Sequence, residues 1–101
     1  MRKNKHKIQI GDILYEVSLM RNKVIEYKIV DIFLENYSYV REYKVVFKVE
    51  YKLGDLEFTS EKYLGDVIQW FDTIEEADEE LERLKLAYKT ELERYINEHG
   101  L

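Results

Sequence analysis

Apolar and polar residues alternate along the first two thirds of the chain, then shift to a helical spacing near residue 73. Alternation marks strands, because successive side chains of an extended backbone point to opposite faces. After Gly11-Asp12, Ile13, Tyr15, Val17 and Leu19 share one face. The run REYKVVFKVEYKL is cleaner. Tyr43, Val45, Phe47, Val49, Tyr51 and Leu53 line one side, and Glu42, Lys44, Lys48, Glu50 and Lys52 line the other. That predicts an antiparallel strand with one buried and one solvated face. Between these two runs, Val24 to Leu34 changes phase: Ile25, Tyr27 and Ile29 fall on one face, then Val30, Ile32 and Leu34 on the other. The switch predicts a bulge or sharp bend, as where one strand serves two sheets of a small barrel.

Three of the four glycines lie in the same setting, Ile10-Gly11-Asp12-Ile13, Leu53-Gly54-Asp55-Leu56 and Leu64-Gly65-Asp66-Val67. Glycine supplies positive φ and aspartate bonds to nearby backbone, so each reads as a turn. Leu53 to Leu56 predicts a tight hairpin leading into a strand with Leu56 and Phe58 inward, and a last strand is expected over Val67 to Phe71. The fold class is therefore α+β: a small antiparallel curled sheet or SH3-like barrel of about five strands, followed by one long C-terminal helix.

The helix begins at Thr73. Thr73 with Glu76 three residues later is a capping-box spacing, in which hydroxyl and carboxylate satisfy free backbone N–H groups. Ile74, Ala77, Leu81, Leu84 and Tyr88 then form an apolar stripe, extended by Leu92, Tyr95 and Ile96 toward the stop signal at Gly100. Such a helix is about 37 Å long, whereas a β-domain of about 70 residues is only about 28 Å across. One or two turns should overhang, so Tyr88, Leu92, Tyr95 and Ile96 are candidate oligomer contacts; the alternative is that the last turns bend or fray and cover nothing.

With 101 residues, the chain reads as one domain, with a basic tail at 1–7, a sheet at 8–71 and a helix at 73–98. Hydrophobic residues at 46% and charged residues at 37% fit a globular chain. Apolar runs are only a few residues long, too short for a membrane span or a signal sequence, so a cytoplasmic location and no membrane partner are expected. The formal charge of −5 opposes general affinity for nucleic acid. It is unevenly spread: Arg2, Lys3, Lys5 and Lys7 stand without acids in the first eleven residues, and residues 72–82 carry acids only.

Chemistry has little to work with. The absence of cysteine removes disulfides, thiol catalysis and cysteine-ligated metals. His6 and His99 sit near the two termini, where a catalytic histidine would lack an orienting shell. Ser18, Ser38 and Ser60 lie in no nucleophile elbow, and no glycine-rich phosphate loop occurs. No catalytic residue, metal or cofactor is expected, and the chain reads as a non-enzyme.

The acidic run is the sharpest compositional feature. Seven carboxylates occupy the eleven positions from Asp72 to Glu82, with Glu75, Asp78, Glu79 and Glu82 on one helical face. Acids in a first helical turn stabilise the positive end of the dipole by about 0.3–1 kcal/mol, and Glu79–Arg83 has the spacing of a favourable i,i+4 pair. The second turn of acids exceeds what the dipole explains. It is either a solvated face or an acidic docking patch. In ENYSYVREY, Tyr37, Tyr39 and Arg41 are candidate partner anchors between two strands; the alternative is that the tyrosines extend the inward face of the next strand.

Three stretches carry a resemblance: Ile10-Gly11-Asp12-Ile13-Leu14-Tyr15-Glu16-Val17, Val24-Ile25-Glu26-Tyr27-Lys28-Ile29-Val30-Asp31-Ile32, and Phe71-Asp72-Thr73-Ile74-Glu75-Glu76-Ala77 with Leu81. The pattern resembles small uncharacterised proteins of phages and integrative elements in low-GC Gram-positive bacteria, which read GD-x-V/L-Y-x-V, I-x-E-x-x-V-x-x-I and F-x-T-x-E-E-A-x-x-x-L. The basic extension before Ile8 and the long helix after Leu84 depart from it. The resemblance implies a mobile-element accessory protein that binds a host or defence protein, inhibitors of CRISPR nucleases included. The acidic face would then engage a basic groove. The alternatives are a nucleic-acid-binding regulator, using the basic N-terminus with Arg41, Lys44, Lys48 and Lys52, and a homo-oligomer formed through the helix.

Overall fold

The computed structural model describes residues 7–37 and 42–100. Four strands follow one another, β1 (Ile13–Ser18), β2 (Lys23–Tyr37), β3 (Glu42–Leu53) and β4 (Leu56–Tyr63); a one-turn helix α1 (Leu64–Val67) and a long helix α2 (Ile74–His99) complete the chain. The strands form one antiparallel sheet in the order β1-β2-β3-β4. This is an open meander, so the expectation of about five strands, as a curled sheet or SH3-like barrel, reduces to four described strands whose first and last members do not pair. The predicted hairpin is present: Leu53 pairs with Leu56 across a two-residue loop whose Gly54 has φ +64°, the glycine-first turn that suits strand twist.

The strand expected over Val67–Phe71 is replaced by α1 and a single bridge. Gly65 belongs to that helical turn and not to a third Gly-Asp turn; the Ile68 N–H donates to the Leu64 carbonyl at 3.0 Å, and the Gln69 side-chain amide to the Gly65 carbonyl at 2.9 Å. Phe71 alone pairs with a strand, exchanging two backbone hydrogen bonds with Tyr15 of 2.9 and 2.8 Å.

The phase change in β2 is a bulge. Pairing with β3 runs Tyr27–Tyr51 and Ile29–Val49, skips Val30, and resumes with Asp31–Lys48, Ile32–Phe47 and Leu34–Val45. The extra residue keeps Ile25, Tyr27, Ile29, Ile32 and Leu34 on one face. The apolar positions therefore never change sides, and no second sheet is needed.

That face carries the main core of Leu14, Ile25, Tyr27, Ile29, Phe47 and Val49, closed by Val67 of α1 and by Trp70. Aromatic rings run across it: Trp70 stacks on Tyr27 at 4.2 Å, Tyr27 tilts against Tyr51 at 5.0 Å, and Tyr51 stacks on Phe58 at 5.4 Å. The row ends at the open edge, where Leu56 and Phe58 point to the core face as expected yet stay exposed. On β1 the register puts Leu14, and not Ile13 or Tyr15, on this side, and Leu14 is fully buried.

Tyr15 and Val17 face the other way, together with Phe71, since directly opposite antiparallel residues share a face. Phe71, Ala77 and Leu81 are buried outside the main cluster, where α2 lies along β1 and β2. Successive residues Trp70 and Phe71 thus seal opposite faces as the chain turns around the β1 edge. Both faces of β1 are covered, which a single alternating stripe does not reveal.

Candidate functional site

The rotation of α2 decides which of its charges meet solvent. The Glu76 backbone N–H donates to the Thr73 hydroxyl at 3.2 Å, and that hydroxyl donates to the Glu76 carboxylate at 3.0 Å. Glu76 is thereby spent on the helix start. Ala77 and Leu81 are the buried residues of the helix, and the small Ala77 side chain lets the first turns approach the sheet closely. Positions 75, 78, 79 and 82 consequently point away, and Glu75, Asp78, Glu79 and Glu82 are all exposed.

The acids are not equivalent. Arg83 binds Glu80 through two hydrogen bonds of 2.7 Å, and the Glu80 side chain is only 12% exposed. The expected Glu79–Arg83 pair is therefore not formed; the i,i+3 partner wins, because a bidentate contact beside the sheet fixes the guanidinium fork. Those bonds raise the Arg83 pKa further. Glu82 meets Lys85 at 3.1 Å in an exposed pair. Glu75, Asp78 and Glu79 have no ion-pair partner among the described residues. The excess of carboxylates thus centres on these three, with Glu82 at their margin. Burial, and after it the Glu26 and Glu75 carboxylates, push the Tyr15 phenol pKa up.

The other predicted sites fare differently. Tyr37 ends β2, its backbone paired with Glu42, while Tyr39 and Arg41 lie outside the described residues. Of that aromatic group, Tyr43 is exposed on the core-side face. The lysine face of β3 is a checkerboard: Lys44 stands opposite Glu35, Lys48 opposite Asp31 and Glu61, and Lys52 opposite Glu57 with an ion pair of 3.4 Å. Among the described residues, no group of three or more carboxylate, histidine or cysteine side chains is arranged to hold a metal ion. No described helix is long and apolar enough to cross a membrane.

The apolar stripe of α2 continues past the sheet. Tyr88, Leu92, Tyr95 and Ile96 are all exposed, Tyr88 by 64% and Tyr95 by 52%. The helix ends where Gly100, at φ +67°, donates its N–H to the Ile96 carbonyl at 2.9 Å. A further surface involves the turn between the first two strands. The β1–β2 turn, held by Asn22 at φ +55°, brings Leu19 and a 96% exposed Met20 beside Tyr88 and Leu92, forming an open apolar groove of about 510 Å³ with Lys85 and Lys89 on its rim. No periodic signal marks a turn as half of a groove with a helix some seventy residues later.

Set against protein-family models, curated proteins and solved structures, the chain matches none.

Proposed function

We propose that this protein is a non-enzymatic, cytoplasmic binding module whose partner presents a basic groove, engaged by the acidic face of α2. The observation that carries this reading is the outward orientation of Glu75, Asp78 and Glu79 on a capped, sheet-anchored helix. Their charge is offset by no cation at ion-pair distance among the described residues, while neighbouring acids are neutralised internally. A row of carboxylates carries the sign of charge of a nucleic-acid backbone, so a nucleic-acid enzyme is the partner class that fits best. The sequence resemblance adds a setting: an accessory protein of a phage or mobile element that blocks a host or defence enzyme of the CRISPR type. Tyr37, Tyr39 and Arg41 remain proposed anchors for that partner, as the sequence alone suggests.

A nucleic-acid-binding regulator is the less favoured alternative, because each lysine of the β3 face stands opposite an acid and no continuous basic track results. The test is affinity capture from nuclease-treated lysate of a low-GC Gram-positive host, comparing the wild-type chain with the triple variant Glu75→Lys, Asp78→Lys, Glu79→Lys. A nucleic-acid enzyme retained by the first and lost from the second is the expected result. Identical captured sets would contradict the proposal, as would a gel shift of DNA by the wild-type chain alone.

A further inference from the structure

We infer that the C-terminal half of α2 pairs antiparallel with the same segment of a second copy, forming a homodimer separate from the acidic face. The stripe of Tyr88, Leu92, Tyr95 and Ile96 projects beyond its own sheet, and four large apolar side chains in line are poorly accounted for by solvation alone. Self-pairing is favoured over other occupants by charge. Lys89, on the groove rim, and Glu93 lie four residues apart along the same edge of the stripe, and neither has an ion pair within its own chain among the described residues. A twofold axis near Leu92 sets each Lys89 against the partner's Glu93, forming two reciprocal pairs. It also carries the last turn of each helix, with Ile96, into the groove beside Leu19 and Met20 of the other copy.

Parallel pairing loses both contacts, because a twofold axis along the helices carries the Lys89–Glu93 edge of one copy to the opposite side of the stripe from that of the other. The antiparallel arrangement holds the two acidic segments at residues 75–82 at opposite ends, with helix dipoles opposed and both acidic faces open. The overlap spans about 14 residues, or about 21 Å of helix, so the interface belongs to the small, reversible class.

Sedimentation velocity over a range of concentrations tests this on the full chain. The mass should rise from 12.3 kDa toward twice that value, and the variant Leu92→Glu, Ile96→Glu should stay monomeric with unchanged helix content by circular dichroism, since both positions are exposed. Because the chain has no cysteine, single substitutions report orientation. Leu92→Cys should form a disulfide-linked dimer, whereas Tyr88→Cys should not, its counterpart lying about 12 Å along the axis. A monomer at every concentration, a dimer unaffected by the double glutamate variant, or efficient cross-linking through Tyr88→Cys would each overturn the inference.

Discussion

At Tyr27 three kinds of interaction converge. Its ring stacks on Trp70 and tilts against Tyr51, the Lys62 ammonium lies 5.9 Å over it, and its hydroxyl donates to Glu16 at 2.7 Å. Burial, and then the Glu16 carboxylate, raise the phenol pKa well above the ordinary value of 10.0. The unfolded chain releases that proton near pH 10 while the folded chain retains it. The contribution is therefore fully present below pH 10 and falls as pH rises above it. Urea denaturation of Tyr27→Phe should show a loss of about 1–2 kcal/mol at neutral pH and a shallower decline of stability above pH 10 than wild type. An equally steep decline would remove Tyr27 as the titrating group. The face Tyr27 occupies is legible from alternation. The stack is not, because Trp70 reaches it from an irregular segment that carries no periodicity of its own.

Among the elements, β2 and α2 separate what pattern reveals from what it hides. The phase change at Val30 is visible in sequence, but alternation alone cannot distinguish a strand that swaps faces from one that bulges and keeps them; only pairing with β3 decides. Removing Val30 should therefore restore strict alternation and leave a cooperatively folding protein with its core-face residues unchanged. Loss of the cooperative thermal transition in that deletion would contradict the bulge. The start of α2 is legible as a spacing, since a cap depends on residues three apart, but only the Thr73 hydroxyl meets a backbone N–H as expected; the Glu76 carboxylate accepts from that hydroxyl instead. Thr73→Ala should cost about 1 kcal/mol in chemical denaturation, and no change would deny the cap its role. By contrast, α1 carries no distinct signal, because four residues around Gly65 satisfy turn and helix rules alike, and the helix packs on β3 and β4.

Across the whole molecule, simple lengths were informative and closure was not. Twenty-six residues of α2 make a rod of about 39 Å, and the longest dimension of the molecule is 53 Å against 33 and 29 Å for the others. The overhang of Tyr88 through Ile96 follows from that. Whether a meander closes into a barrel depends on long-range pairing between its first and last strands, which no local pattern encodes. The acidic face was likewise legible only as a count of charges. Its division into Glu76 held in the cap, Glu80 and Glu82 paired with Arg83 and Lys85, and Glu75, Asp78 and Glu79 without an ion pair among the described residues depends on the capping, pairing and rotation of α2.

The most direct test of the proposed function is the salt dependence of binding between the purified chain and the enzyme it captures, measured with wild type and with Glu79→Lys. Affinity for wild type should fall steeply as ionic strength rises through the physiological range, and Glu79→Lys should bind weakly throughout, as expected when exposed carboxylates meet a basic groove. An affinity that is insensitive to salt and unchanged by Glu79→Lys would contradict the account.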